Sequence, residues 1–326
     1  MIIAPARAYS IINNPYVRDD MKVVCAVFAN DTVAAYTAAF PEILEKPKGK
    51  LAWWFSTLWC NPSFQGRGFG LVVMGTLVEE YGLDNCFDAE GAPETVSILN
   101  KLGLITEYRQ RYVFMEKKIN KGSFRGQIAW IYEQFRGLIG NSFIRKCWDT
   151  LNRNNFSISC QKYIDDESYG FIQDHSDTDL ILRRQETFDW ILQFPFLQTV
   201  PLCERSLPDN HFSSITESYQ SLSCKIFISG LLVGVAVLVL GHDSLSVKYL
   251  YYEKDFSDVV YSALLMQCIK CKIARFETGD RRLADFTKEF GIFPKFLILD
   301  YSLSTPKDFI IHNESFLQPG EGDMFV

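Results

Sequence analysis

The segment from residue 51 to residue 81 constrains the fold of this chain more than any other. An apolar, β-prone run, Leu51–Cys60, ends before Pro62, and apolar residues then recur at helical spacing up to Tyr81. The connection between the two, Gln65–Gly70, reads Gln-Gly-Arg-Gly-Phe-Gly. The sequence therefore predicts a strand, a glycine-rich loop and a helix in direct succession.

This loop has the chemistry of a phosphate-binding site. Its glycines lack the Cβ atoms that would otherwise keep a ligand away from the backbone N–H groups. The helix that follows directs unsatisfied N–H groups and the positive end of its dipole at the same place. Arg67 adds one positive charge to the loop.

The spacing of the glycines excludes two common nucleotide-binding loops. A dinucleotide-binding fingerprint needs Gly-x-Gly-x-x-Gly, whereas the glycines here occupy positions 66, 68 and 70. A Walker loop needs Lys followed by Ser or Thr after its last glycine, and Leu71 and Val72 stand there instead.

The flanking sequence predicts the remainder of a mixed α and β unit. Two β-rich runs within residues 22–40 flank the turn residues Asn30 and Asp31, which indicates a hairpin. A short strand at Asp84–Ala89 precedes a helix, Pro93–Leu102, because Pro suits the first turn of a helix and a glycine follows its end.

The loop and its context resemble the signature of the GNAT superfamily of N-acetyltransferases. The residues that match the short motif are Pro62, Gln65, Gly68 and Gly70. The strand and helix at residues 84–104 follow in the family's order, so the resemblance covers roughly residues 50–118. It implies an α+β fold class, with two GNAT-like domains that each contain a twisted mixed sheet flanked by helices.

The resemblance also implies acetyl-coenzyme A (acetyl-CoA) as the co-substrate, with no metal ion. The ligand would lie between two splayed strands, Leu51–Cys60 and Asp84–Ala89. Its pantetheine amides would pair with the backbone of the first strand, and its pyrophosphate would contact the N–H groups of the loop. The implied cofactor-binding residues are Leu58, Trp59, Cys60, Gln65, Gly66, Arg67, Gly68, Phe69 and Gly70.

The usual catalytic residues of the family are missing. The tyrosine that serves as general acid would stand at Leu99, and an asparagine near the start of the same helix would stand at Ala92. Asp88 and Glu90, at the end of the second splayed strand, are the candidate catalytic bases if burial raises a carboxyl pKa. The alternative is that both are charges near a helix N-terminus.

The first splayed strand carries further candidates for substrate contact. Ser56 and Thr57 are placed to orient a substrate. Trp53, Trp54 and Trp59 are placed to stack on a sugar or on pantetheine, although aromatic residues in strands usually belong to a core.

The sequence predicts three parts, a GNAT domain at residues 1–118, a helical connector at 119–154 and a degenerate GNAT-like domain at 155–326. In the last part, the position of the glycine loop is taken by Tyr252–Asp258, which has three carboxylates and no glycine, so no coenzyme A is expected there. Because only about 21 residues precede Lys22, the helices that roof the acceptor site are either missing or supplied by another part of the chain.

Composition limits the classes of partner that this chain is expected to bind. The net charge of −6 offers no general basic surface, so neither nucleic acid nor an anionic membrane is expected as a partner. The run Leu231–Leu240 is too short to span a membrane as a helix. The start of the chain lacks the pattern of a signal peptide, and a cytoplasmic location is expected.

The chain contains nine cysteines, an odd number, in mostly apolar contexts such as those of Cys25, Cys60, Cys86 and Cys224. That pattern predicts reduced core thiols. The spacing of Cys268 and Cys271 fits a metal ligand pair, but the sequence offers no second pair, so these two residues are interpreted as structural.

The sequence thus favours an acyltransferase that moves an acetyl group from acetyl-CoA to an amine or hydroxyl of a small-molecule or sugar acceptor. The alternative is a non-catalytic protein that binds acyl-CoA or a partner after losing its general acid. A third class, a tandem GNAT aminoacyl transferase, would require a basic groove that the composition does not support. The acceptor and the oligomeric state stay open at this stage.

Overall fold

The computed structural model describes residues 5–45, 49–116, 144–196, 198–199, 215–216, 218–309 and 318–320. Most of the predicted helical connector, residues 119–154, lies outside this described part. Where the described chain resumes, residues 144–153 are helical.

The chain forms two compact units that interleave along the sequence. Unit 1 comprises Met1–Arg109, Ser176–Glu217 and Asp300–Val326, and unit 2 comprises Gln110–His175 and Ser218–Leu299. The units therefore differ from a linear division of the chain, because two segments from its second half belong to unit 1.

The strands are β1 (Val24–Ala29), β2 (Thr32–Ile43), β3 (Leu51–Cys60), β4 (Cys86–Ala89), β5 (Leu104–Met115), β6 (Phe156–Gln161), β7 (Gln198–Thr199), β8 (Ile215–Thr216), β9 (Gln220–Ile228), β10 (Leu231–Leu240), β11 (Ser244–Tyr252), β12 (Arg275–Thr278) and β13 (Lys295–Pro306). The helices are α1 (Pro5–Ile12), α2 (Phe69–Tyr81), α3 (Pro93–Leu102), α4 (residues 144–153), α5 (Asp166–His175), α6 (Gln185–Gln193), α7 (Ser257–Lys270) and α8 (Arg281–Phe290). The predicted hairpin, strand–loop–helix segment and strand–helix pair of residues 22–104 are confirmed.

The sheet of unit 1 is mixed. β1 and β2 form an antiparallel hairpin whose turn residues, Asn30 and Asp31, have φ of 51° and 61°, as a tight turn matched to strand twist requires. β2 pairs antiparallel with β3, β3 pairs parallel with β4, and β4 pairs antiparallel with β13 through Leu303 and Ser304. The connection from β3 to β4 runs through α2, as parallel neighbours require.

Helices α2 and α3 pack on one face of this sheet. Val73, Met74 and Leu77 of α2 are buried in a core that also contains Leu99 of α3. On β2 and β3 the residues of this core are Ala35, Ala39, Trp53 and Phe55, which occupy alternate strand positions, and Cys86 of β4 and Leu104 of β5 complete the strand side. Because side chains alternate across a strand, Tyr36 and Phe40 point to the opposite face.

That opposite face of unit 1, called the α1/α6 face below, is built partly from residues 176–196. Leu182 N–H donates to Ile43 O over 2.8 Å, which attaches this segment beside β2. Trp190 of α6 donates from Nε1 to Ser10 O of α1 over 2.8 Å, and its ring lies 5.9 Å from that of Phe40. One helix of this face, α1, thus precedes the first hairpin, and the other, α6, comes from a distant segment of the chain.

Unit 2 repeats the succession of elements found in unit 1. The hairpin of β9 and β10 turns at Ser229 and Gly230, with φ of 48° and 84°. β10 pairs antiparallel with β11, and β11 pairs parallel with β12 across α7. β12 pairs antiparallel with the Tyr112–Met115 part of β5. Mixed sheets flanked by helices in both units confirm the α+β class.

One cysteine prediction is wrong. Cys160 and Cys224 form a disulfide with a Cα–Cα distance of 4.1 Å, whereas Cys224 was expected to be a reduced core thiol. The two residues are 64 positions apart in sequence, and they face each other directly in the register of β6 and β9. Only the strand pairing brings them together.

Among the described helices, none has the length and apolar character needed to span a membrane.

Candidate functional site

β3 and β4 separate after a short stretch of pairing. Their parallel register contains Trp53 with Cys86 and Trp54 with Phe87, and in the described chain it continues no further. On its other edge β3 stays paired to β2, with Trp59 opposite Tyr36. The last residues of β3 therefore present an open strand edge on the side of β4, and Leu58, Trp59 and Cys60 lie along that edge, each partly exposed.

A β-bulge in β3 marks the start of this open edge. Trp59 pairs with Tyr36 and Ser56 pairs with Ala38, so two residues of β3, Thr57 and Leu58, face the single residue Thr37 of β2. Thr57 has φ of 58°, in the left-handed region that a β-branched residue rarely adopts. The hydroxyl of Thr37 lies 3.4 Å from Ser56 O and donates to it, which gives the distorted backbone a side-chain partner.

The strain at Thr57 makes a testable prediction about stability. Replacing Thr57 with glycine or with alanine removes the same hydroxyl, but only glycine adopts a positive φ without steric cost. We expect Thr57→Gly to be more stable than Thr57→Ala by roughly 1 kcal/mol in urea unfolding followed by circular dichroism. Equal stability of the two variants would show that the backbone at position 57 is relaxed.

The glycine loop begins with a short turn fixed by side chains. Residues Pro62–Phe64 form one 3₁₀ turn, and the side chain of Asn61 accepts from Ser63 N–H over 3.0 Å. Gln65 Nε2 donates back to Cys60 O over 3.4 Å. Local hydrogen bonds thus hold the loop against the end of β3.

Two of the three loop glycines have conformations that other residues avoid. Gly66 and Gly68 have φ of 76° and 82°, and an added Cβ at either position would meet no atom within 4 Å. The space over the backbone is therefore open. Arg67, between them, lies exposed with its guanidinium 5.4 Å from the centre of the Phe64 ring.

The third glycine has a packing role. A Cβ at Gly70 would lie 3.1 Å from Cys60 Sγ and 3.2 Å from Ile98 Cδ1, so a larger residue would require these side chains to shift by a few tenths of an ångström. Burial raises the pKa of the Cys60 thiol, and the Gly70 backbone N–H acts in the opposite direction. Cys60 therefore stays a neutral thiol at physiological pH.

The N-terminus of α2 has the features of an anion site. Gly68 occupies the N-cap position without a side-chain cap, and the first turn contains no acidic residue. The first hydrogen bond of the helix runs from Val72 N–H to Gly68 O over 3.1 Å, which leaves the earlier N–H groups without acceptors inside the helix. Phe69, the first helical residue, packs edge-on against Phe64 at 5.9 Å between ring centres.

The two candidate carboxylates differ in environment. Asp88 is buried, and its backbone lies opposite Ser304 of β13. Its Oδ2 atom would be 2.5 Å from a Cβ at Gly91, so the carboxylate lies against the backbone just after β4. Glu90 is exposed, has φ of 60°, and donates its backbone N–H to Ser302 O over 2.9 Å. Both residues lie near the opening between β3 and β4, and Asp88 alone is shielded from water.

At the two positions where the family's general acid and its asparagine would stand, the residues of this chain cannot take over those roles. Leu99 is fully buried in the core against α2, and Ala92 is the exposed N-cap of α3. The neighbouring Asn100 accepts from the hydroxyl of Thr106 over 3.0 Å. Neither α3 position can therefore deliver a proton to a ligand beside β3.

Ser56, a candidate from the sequence, belongs to a polar cluster on the α1/α6 face, whereas its partner Arg7 and the nearby Tyr36 were not indicated by the sequence. Arg7 Nη1 of α1 donates to Ser56 Oγ over 2.9 Å, and its guanidinium stacks 4.3 Å from the centre of the Phe196 ring. Burial raises the pKa of Tyr36 to about 12, although Arg7 acts in the opposite direction, so the phenol keeps its proton. The ring of Trp59 lies 5.7 Å from that of Tyr36.

The tryptophans of β3 divide between core and cleft. Trp53 stacks on Tyr81 of α2 with ring centres 3.4 Å apart, and Trp54 is fully buried 5.5 Å from Phe87. Both are core residues, whereas Trp59 remains partly exposed beside the open edge.

No protein-family profile matches the chain, and no curated protein matches it. Solved structures do match. A GCN5-related N-acetyltransferase (GNAT) from Anabaena variabilis ATCC 29413 superposes with a TM-score of 0.51 at 9% identity, covering 93% of this chain and 71% of that protein. A putative acetyltransferase from Pyrococcus horikoshii gives a TM-score of 0.51 at 10% identity, covering 98% and 81%. The fold is GNAT-like.

A third match has a longer chain. It is a fungal multi-domain GH3 β-N-acetylglucosaminidase with a GCN5-related glucosamine N-acetyltransferase region, at a TM-score of 0.50 and 9% identity. The match covers 92% of this chain but 36% of the fungal one, so the GNAT-like chain spans about a third of that protein.

In the described residues of unit 2, the position that corresponds to the glycine loop holds an acidic turn without glycine. Residues Lys254–Phe256 form a 3₁₀ turn ahead of α7, and the nearby carboxylates of Glu253, Asp255 and Asp258 are exposed. Negative charge at a helix N-terminus disfavours a phosphate there. Within the described residues, no cluster of His, Cys, Asp or Glu is arranged to hold a metal ion.

Proposed function

We propose that this GNAT-like chain binds acetyl-CoA in unit 1 and transfers the acetyl group to an amine or hydroxyl of a small-molecule or sugar acceptor. One observation carries the proposal. The open edge of β3 leads directly into a glycine loop and a helix N-terminus without a side-chain cap. An extended ligand with amides at one end and phosphates at the other matches both features.

Along β3 and the glycine loop, successive residues match successive parts of acetyl-CoA. The backbone of Leu58, Trp59 and Cys60 is placed to pair with pantetheine amides, as a neighbouring strand would. The N–H groups from Gln65 to Gly70 and the charge of Arg67 are placed to hold the pyrophosphate. Open space above Gly66 and Gly68 lets phosphate oxygens approach the backbone. Bound acetyl-CoA would supply an activated acyl thioester.

The environment of each titratable side chain decides whether it can accept or donate a proton. Asp88 is buried next to the opening, which makes it the better candidate for a base than the exposed Glu90. Tyr36 keeps its proton and can donate a hydrogen bond, but it cannot accept a proton from an amine.

A second function is favoured by a specific observation. Leu99 is fully buried where the family's general acid would stand, so the chain fits a protein that binds acyl-CoA without turning it over. Two measurements together distinguish the two functions. Titration calorimetry measures binding of coenzyme A, and release of free thiol from acetyl-CoA with a panel of amines and amino sugars measures transfer. Binding with transfer supports the enzyme, and binding without transfer supports the alternative.

A substitution at Arg67 tests the proposed position of the coenzyme A pyrophosphate. Because Arg67 is exposed beside the loop, Arg67→Glu is expected to weaken coenzyme A binding about tenfold at low salt, and less as salt screens the charge. The matched control is Arg281→Glu in unit 2, whose side chain is 82% exposed. Coenzyme A affinity that is equal in the two variants would place the pyrophosphate elsewhere.

A further inference from the structure

Thr57 combines two features that a purely structural residue would avoid. Its backbone is held in the left-handed region, which glycine or asparagine adopts more easily than a β-branched residue. The residue is only 5% exposed, and its Oγ1 atom has no hydrogen-bond partner among the described residues. A buried hydroxyl without a partner is rare in native structures and calls for an explanation.

The other hydroxyls around the bulge are already engaged. Thr37 donates to Ser56 O, and Ser56 Oγ accepts from Arg7. Glycine at position 57 would allow the same bulge, and valine would fill the same volume without an unsatisfied polar atom. The hydroxyl of Thr57 is therefore not needed for the fold.

The position of Thr57 along β3 suggests its ligand. In the proposed binding mode, the pyrophosphate lies on the loop after Cys60, and the pantetheine extends back along Leu58–Cys60. The next position along the open edge is Thr57, where the thioester end of the ligand would lie. A thioester carbonyl oxygen is an acceptor without a donor of its own, and the Thr57 hydroxyl is a donor without an acceptor.

We propose that the Thr57 hydroxyl donates a hydrogen bond to the carbonyl oxygen of the acyl thioester, an inference that rests on the proposed function. In the transfer to a primary amine, the amine nitrogen forms a bond to the carbonyl carbon and the C–S bond breaks. The electron pair of that bond leaves with sulfur, and the proton lost by the amine ends on the coenzyme A thiol. Thr57 exchanges no proton, and it stabilises the negative charge that develops on oxygen.

Binding of two analogues tests the role of Thr57 without turnover. The probes are acetyl-CoA and S-ethyl-CoA, a thioether that has no carbonyl oxygen, with coenzyme A as the common reference. The native chain is expected to prefer acetyl-CoA over S-ethyl-CoA by about fivefold, as one hydrogen bond provides. Thr57→Val is expected to lose this preference and to bind coenzyme A as the native chain does. Thr57→Ser, which keeps the hydroxyl, is expected to retain it.

A spectroscopic readout separates a hydrogen bond from a change in packing. The carbonyl stretch of acetyl-CoA labelled with ¹³C at the acyl carbon is expected at lower frequency when bound to the native chain than to Thr57→Val. An unchanged stretch and unchanged preference in Thr57→Val, with coenzyme A still bound, would overturn the role of Thr57 and leave the proposed function intact. Failure of the native chain to bind coenzyme A would overturn both.

Discussion

Replacing Arg183 with alanine is expected to lower the free energy of unfolding of unit 1 by about 3–5 kcal/mol. Arg183 forms an ion pair with Glu42 of β2, and the two side chains are 1% and 0% exposed. Removing the cation leaves a carboxylate buried without its counter-charge, which is among the most costly changes a core can undergo. The measurement is urea unfolding followed by circular dichroism.

Two controls make this prediction specific. Arg184→Ala removes the next residue, which is half exposed and faces Glu186, and is expected to cost no more than about 0.5 kcal/mol. The double variant Glu42→Gln with Arg183→Met removes both charges and is expected to recover much of the stability. If Arg183→Ala costs no more than Arg184→Ala, residues 176–196 are not anchored to β2 through this pair.

Replacing Gly68 with aspartate is expected to weaken coenzyme A binding at least about 100-fold, because two unit charges about 4 Å apart near a surface repel by about 4 kcal/mol. Gly68 has φ of 82° at the N-cap of α2. Asparagine has nearly the same shape, tolerates the left-handed conformation and carries no charge, so Gly68→Asn is the matched control. It is expected to bind coenzyme A within about tenfold of the native chain.

The design excludes unfolding as the cause. Both variants carry the same cost of a non-glycine residue in the left-handed region, and the charge of aspartate is favourable beside the positive end of α2. Gly68→Asp is therefore expected to have a thermal midpoint at least as high as that of Gly68→Asn. Gly230→Asp, at an open turn position of unit 2 with φ of 84°, places the same charge away from the loop and is expected to leave binding unchanged. Equal affinity of the Gly68→Asp and Gly68→Asn variants would contradict a phosphate at this helix N-terminus.

The parts of the site that could be predicted from sequence are those fixed by short-range chemistry. The glycines of residues 66–70, the helical periodicity after them and the turn at Asn30 and Asp31 are local signals, and the structure has the elements they indicate. The likeness of the loop to the GNAT motif led to the fold that the solved structures confirm.

Other parts depend on contacts across long stretches of chain. Arg7 and Ser56 are 49 positions apart, and Glu42 and Arg183 are 141 apart, so no local pattern identifies either pair. The pairing of β4 with β13 likewise joins distant segments, and unit 1 contains three separate stretches of the chain.

The bulge at Thr57 shows a local signal that points the wrong way. A β-branched residue inside an apolar run favours regular extended backbone, yet Thr57 has a positive φ. The register of β2 and β3 shifts at this point, so the departure becomes visible only when the two strands are paired. The same applies to Cys160 and Cys224, whose disulfide follows from the register of β6 and β9.

The most direct test of the account is a crystal structure of the chain with coenzyme A. The account predicts pyrophosphate oxygens within about 3.2 Å of backbone N–H groups of residues 66–70. It also predicts pantetheine amides paired with the open edge of β3 at Leu58–Cys60. Coenzyme A bound at the acidic turn Glu253–Asp258 of unit 2, or bound in unit 1 without contact to the glycine loop, would contradict it.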